Sequence, residues 1–245
     1  MGVIVNVTNQ MTRILVGVVT SAPPSKAKFC CFPDKYEASV GEVDGYALPN
    51  GKGGVANSYS NIAVDAKNEL AATELTQIYN GTTTKLKIII NYKEKVSYVI
   101  VGETCKKAVM NVPQFKCVPD NAQDGGTFYF GDKGLDMNVY TFPFNPTGIF
   151  DGNVSLTVTR ANCIPVSTIS IGRDLESTLA PSLPVLKNSG VVNFTRGVKD
   201  PDHWFKLPSF CPKEISERST RSVEVNPVSG FLPFTNLMMK YMVEE

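Results

Sequence analysis

One histidine and one tryptophan in 245 residues set the first limits on this chain. His203 is the only imidazole, so any serine or cysteine nucleophile that needs a histidine base must use it. It lies in Asp200-Pro201-Asp202-His203-Trp204, a polar turn whose two carboxylates flank a proline. Local turn chemistry explains that arrangement more cheaply than acid–base work does. There is no G-x-S-x-G elbow and no H-E-x-x-H helix. The chain is read as non-enzymatic, with no catalytic residue. No apolar run reaches the ~18–20 residues that span a bilayer as a helix. A formal net charge of +1 supplies no field for nucleic acid. Helical periodicity is scarce, and the cysteines show no C-x-x-C spacing of the kind zinc sites use.

What is present is cysteine, sequons and strand patterning. Cys30, Cys31, Cys105, Cys117, Cys163 and Cys211 are scattered like long-range staples. The vicinal Cys30-Cys31 pair cannot easily bond to itself, so each reaches for a distant partner. Sequons begin at Asn6, Asn80, Asn153 and Asn193, while Pro146 disqualifies Asn145. An even cysteine count with several sequons favours an oxidising, secretory compartment. Six free thiols in a cytosolic protein are the alternative. Residues 1–22 resemble a truncated or degenerate signal segment: Arg13, the short apolar run Ile14–Val19, then Thr20-Ser21-Ala22. Asn6 is lost with such a leader.

Period-2 alternation recurs along the chain. Leu86, Ile88, Ile90 and Tyr92, then Val96, Tyr98 and Ile100, make 85–101 a hairpin. Tyr36, Ala38 and Val40 alternate with polar neighbours in the same way. So do Val154, Leu156 and Val158, which puts Asn153 on the polar face, open to a glycan. Further strands are expected near 59–66, 69–79, 127–131, 136–142, 164–171 and 190–197. Residues 173–190 read as a long loop, and short helices are expected near 212–220 and in the Met-rich tail. About ten strands at this spacing indicate an all-β domain of antiparallel sheets, packed or curved around one core. Ile89, Val99 and Val101 fall out of phase with their strands, so that stretch needs a second cover. A dimer interface, a ligand cavity or the chain's own loops would each serve. Asp120-Asn121-Ala122-Gln123-Asp124-Gly125 begins like a calcium loop, but Gly131 stands where a bidentate Glu is required. Gly51-Lys52-Gly53-Gly54 lacks the spacing of a phosphate loop and reads as a hairpin tip.

Read in order, several segments resemble the ependymin-related protein family. They are Cys31-Phe32-Pro33 with Tyr36-Glu37; Ser60-Asn61-Ile62-Ala63-Val64-Asp65; Tyr92-Lys93 through Tyr98 to Cys105-Lys106-Lys107; and Asn162-Cys163-Ile164-Pro165-Val166. The most specific is Gly197-Val198-Lys199-Asp200-Pro201 followed by Phe205-Lys206-Leu207-Pro208-Ser209-Phe210-Cys211. Val64 and Glu69-Leu70 depart from the pattern, and the 173–190 stretch and the tail after 215 match none of it. The resemblance implies a β domain over 23–215 and an extension over 216–245. It implies two stacked, curved antiparallel sheets, a half-barrel sandwich like bacterial lipoprotein carriers, enclosing an apolar pocket. It also implies a secreted or lysosomal glycoprotein, glycosylated at Asn80, Asn153 and Asn193, that binds a lipid or other hydrophobic molecule and forms homodimers. A role in the extracellular matrix or in cell–matrix adhesion is the alternative. The family carries a calcium-binding label, for which no ligand cluster is visible. By position, it pairs Cys105 with Cys211 and either Cys30 or Cys31 with Cys163, leaving Cys117 for the other vicinal cysteine.

Overall fold

The computed structural model describes residues 30–48, 51–79, 81–110, 114–145, 150–175 and 182–213. The leader, Asn80, the extension over 216–245 and both expected helices, apart from residues 212–213, lie outside these residues. Eleven strands form the fold: β1 Lys35–Ala47, β2 Gly53–Asp65, β3 Leu70–Tyr79, β4 Thr82–Asn91, β5 Val96–Val101, β6 Thr104–Val109, β7 Gln123–Phe130, β8 Leu135–Phe144, β9 Phe150–Thr159, β10 Pro165–Asp174 and β11 Leu183–Arg196. Among the described residues one helix of five residues, α1 Pro201–Phe205, follows them.

All eleven strands belong to one antiparallel sheet in the order β6-β5-β4-β3-β2-β1-β11-β10-β9-β8-β7. The expectation of two separate stacked sheets is therefore corrected. The two halves of the sheet, β1–β6 and β7–β11, are hydrogen-bonded to each other through β1 and β11. That pairing runs from Tyr36–Arg196 to Tyr46–Val185. The loop expected over 173–190 is also corrected, because β10 runs to Asp174 and β11 starts at Leu183. In β11, Leu183, Val185, Lys187 and Ser189 are buried while Pro184, Leu186, Asn188 and Gly190 are exposed. Pro184 conceals this alternation in the sequence. It is tolerated because β1 pairs with β11 only as far as Val185, so the missing N–H breaks no bond to β1. The short edge strand β6 is a further element that the pattern did not reveal.

Two meanders build the sheet: β1 to β6 step outward in one direction, and β7 to β11 return from the far edge. Between the two edges, Met110 and residues 114–122 lie over the inner face. Met110, Val118 and Ala122 join the main buried cluster there, with Ile88 and Ile90 of β4 and Val154, Leu156 and Val158 of β9. Phe115 stacks on Phe142 of β8 at 5.8 Å between ring centroids.

Residues 30–32 pair with this crossing, with Phe32 N–H donating to the Lys116 carbonyl and Val118 N–H to that of Cys30. Disulfides Cys31–Cys117 and Cys30–Cys163 fasten the same junction. The vicinal cysteines thus tie the crossing segment to the turn between β9 and β10. Sheets curve where glycines let strands approach closely. Gly152 of β9 faces Gly172 of β10, with the Phe150 ring packed against both.

The outer face of β3–β5 explains the out-of-phase residues. Ile89, Tyr98 and Ile100 are buried there against Trp204, while Val99 faces the inner cluster and Val101 is exposed. The second cover at this place is the chain's own segment 197–211. Trp204 Nε1 donates to Glu37 Oε1 at 3.2 Å, and the third disulfide, Cys105–Cys211, fixes the segment's end to β6.

Asp65 closes the β2–β3 hairpin. Its carboxylate accepts the Asn68 N–H at 3.1 Å and the Asn68 amide at 2.7 Å, and pairs with Lys35 Nζ at 2.7 Å. Burial pushes its pKa up, but the Lys35 and Asn68 hydrogen bonds outweigh burial and leave it below the ordinary aspartate value. Replacing Asp65 with Asn should cost about 1–3 kcal/mol at pH 7. A depressed folded pKa stabilises above the unfolded carboxyl's titration near pH ~4 and loses that effect as pH falls through the folded value. Urea midpoints of wild type and D65N should therefore differ at pH 7 and converge as pH falls through the folded carboxyl's titration. A gap that persists in acid would count against this role.

Candidate functional site

The inner face is the candidate ligand-binding surface. A sheet normally buries one face against a second layer. Among the described residues its apolar part is covered by the chain itself, since Ile88 and Ile90 of β4 and Val154, Leu156 and Val158 of β9 are buried in one cluster with Phe32, Met110, Val118 and Ala122. Most of the face is apolar, and its rows can be read from strand register. Tyr140 of β8, Leu156 of β9 and Thr168 of β10 are consecutive neighbours, as are Phe142, Val154 and Ser170.

Followed toward β1, both rows become polar. The first continues through Ser189 of β11, Glu42 of β1 and Ser58 of β2 to Gln77 of β3. The second continues through Lys187 to Asp44 and Ala56. Glu42, Asp44, Gln77, Thr168, Ser170, Asp174, Lys187 and Ser189 are all buried, Asp44 to 1% exposure and Gln77 to 2%. Tyr46 donates its hydroxyl to Asp44 Oδ2 at 3.2 Å. Its pKa is pushed up by burial first, then by the negative charge and hydrogen bond of Asp44 and by the charges of Glu42 and Asp174. Those three carboxylates thus act on one place. Asp44 Oδ1, Gln77 Oε1 and Thr168 Oγ1 are buried without any hydrogen-bond partner.

The residues singled out in the sequence lie elsewhere. His203 Nε2 sits 3.0 Å from Glu74 Oε1, which also takes Lys87 Nζ at 3.2 Å. His203 N–H donates to Asp200 Oδ1, so Asp200 caps α1 as a turn residue does. This group lies on the outer face, at the segment that carries Trp204. Asn153 is exposed on the outer face of β9. Asn193 is exposed at a bulge where β11 carries an extra residue opposite β1. It has a positive φ of 53°, a conformation asparagine tolerates better than most residues. In the 120–125 turn, Asp124 Oδ1 accepts the Gly126 N–H. Among the described residues no three histidine, cysteine or acidic side chains are grouped to hold a metal ion.

Glu42, Asp44 and Lys187 were not marked as site residues from the sequence. A signal was available for two of them. Glu42 and Asp44 occupy the inward phase set by Tyr36, Ala38 and Val40, where a charge is out of place.

Development-specific protein LVN1.2 of Lytechinus variegatus is 29% identical to this chain over 171 residues, covering 64% of this chain and 88% of that protein. Ependymin-related protein 1 of Haliotis asinina is 30% identical over 141 residues, covering 54% and 65%. Ependymin-related protein 2 of the same species is 31% identical over 162 residues, covering 60% and 74%. Among solved structures, an uncharacterized conserved protein from Thermus thermophilus aligns with a TM-score of 0.46 at 13% identity, over 72% of this chain and 87% of that one. A LolA superfamily protein from Nitrosomonas europaea aligns with a TM-score of 0.32 at 15% identity, over 73% and 93%. The family model described as Ependymin matches residues 80–211, from the β3–β4 turn to the last cysteine. With more than half of its length inside that match, this chain belongs to the ependymin family.

Proposed function

We propose that the protein is a secreted glycoprotein that carries a hydrophobic, lipid-like molecule against the inner face of its sheet and performs no covalent chemistry on it. The observation that carries this reading is one sheet whose inner face is apolar over most of its strands and gives way, toward β1 and β11, to buried polar side chains. A curled single sheet of this kind serves as the wall of a carrier, in the manner of bacterial lipoprotein carriers. Three disulfides suit an oxidising compartment. Asn153 and Asn193 are exposed and would carry their glycans on the outside, and Asn80 is the third proposed site. Extracting bound lipid and adding a fluorescent fatty acid should give saturable uptake. A delipidated, folded protein that takes up none would end the carrier reading.

A second reading rests on the outer face. Val55 of β2, Leu186 of β11 and Ile171 of β10 lie in one row, with Gly45 of β1 between the first two, and are 61%, 49% and 61% exposed. An apolar strip of this kind suits contact with a matrix protein or with a second copy of the chain in a homodimer. Failed uptake combined with sedimentation as a dimer, or with adhesion to matrix, would favour it.

A further inference from the structure

We propose that the polar end of the inner face is a head-group subsite, and that it selects an amphipathic ligand bearing a primary amine. This rests on the carrier reading and deepens it.

Three side chains ask for a partner. Asp44, Gln77 and Thr168 are 1%, 2% and 3% exposed, and each has an oxygen with no hydrogen-bond partner. They come from three strands, β1, β3 and β10, yet all point to the inner side, as the alternation of buried and exposed neighbours requires. A buried polar atom left unpaired costs about 1–3 kcal/mol, so three on one face call for an occupant that supplies hydrogen bonds. Asp44 Oδ1 and Gln77 Oε1 only accept, so the occupant must donate.

Charge narrows the class. The same face buries three acidic side chains, Glu42, Asp44 and Asp174, and one basic side chain, Lys187. A carboxylate or phosphate head would enter against that balance, whereas a cation is drawn by it. An ammonium group offers three donors and no acceptor, and so matches both the charge and the orphaned oxygen of Asp44. An alcohol offers one donor and no charge.

Apolar surface for the tail begins where the polar rows end. Thr168 is the direct neighbour of Leu156, and Ser170 of Val154, so a head at Asp44 leaves its chain lying toward β9 and β8. The groups are spread along two rows over several strands, and they do not converge as metal ligands do.

The test is a series with one tail and three heads: dodecylamine, dodecanol and dodecanoic acid. Each would displace a neutral polarity-sensitive dye from the delipidated full chain at pH 7. The amine should displace at a concentration at least about tenfold below the other two, the ratio expected for one charge-assisted hydrogen bond. In Asp44→Asn the ratio of amine to alcohol should shrink severalfold, with circular dichroism confirming the fold. Equal potency of the three heads in wild type, or preference for the acid, would overturn the head-group assignment while leaving the carrier standing. Equal potency would mean that water satisfies those oxygens. If neither the dye nor any of the three binds, the carrier reading fails and the subsite with it. The wild-type ranking decides the matter even if the variant does not fold.

Discussion

Replacing Cys105 and Cys211 together with serine is expected to lower the free energy of unfolding by about 5 kcal/mol. The bond joins residues 106 apart. Opening a loop of that length returns roughly 16 cal/mol/K of chain entropy to the unfolded state in the loop-closure model. The effect reaches beyond entropy, because the bond anchors the segment that seats Trp204 on the outer side of β4 and β5. Once released, that segment is held by weaker contacts. Trp204 Nε1 and the Lys199 N–H both donate to Glu37, while Lys87 lies over the indole at 5.7 Å. Ile89, Tyr98 and Ile100 would then meet water whenever the segment lifts. Trp204 is the only tryptophan, so its fluorescence reports on this place alone. Urea titration of the double variant should show an early loss of the buried-tryptophan signal, ahead of the loss of β circular dichroism. Identical midpoints for variant and wild type would show that the bond adds nothing to stability.

Gly172→Ala should cost about 3 kcal/mol, at the upper end of what an added methyl group costs in a packed interior. A β-carbon there would sit 2.2 Å from the Asp151 carbonyl oxygen and 2.7 Å from the Gly152 α-carbon. Both are backbone atoms of β9 and cannot turn away as a side chain would. The strands must part or shift register, and the Phe150 ring, 2.8 Å from the same point, must move as well. For a domain of this size the melting temperature should fall by roughly 6–12 °C. Gly190→Ala is the control, since nothing lies within 4 Å of its added carbon and its neighbour is Gly41 of β1. It should change stability by less than about 0.5 kcal/mol. If both variants behave alike, the close approach of β9 and β10 is not the constraint.

The strands were largely legible where one face is apolar and the other polar. β1, β4, β5 and β9 all announce themselves by alternation, because a half-buried strand must separate the two kinds of side chain. β6 gave no such signal, since an edge strand with Lys106 and Lys107 has little apolar surface to arrange. β11 was hidden in part by Pro184 and by buried Lys187 and Ser189, which make an inward phase look like a polar loop. Trp204 could not be placed from local pattern at all, because its partners lie on β2 to β5, more than a hundred residues away in the chain. The polar end of the inner face was hidden for the same reason. Gln77, Asp44 and Thr168 are distant in sequence, and only register puts them on one face.

The residues by themselves determined strand content, oxidised chemistry and family, since these depend on side-chain period, cysteine number and short motifs that any single segment displays. Tertiary structure alone decided that β1 meets β11 to fuse two meanders into one sheet, that 197–211 covers the outer side, and that buried acids gather opposite one lysine. Each of these is a long-range pairing, fixed by hydrogen-bond register and by which surfaces must leave water together. No local stretch of chain carries that information.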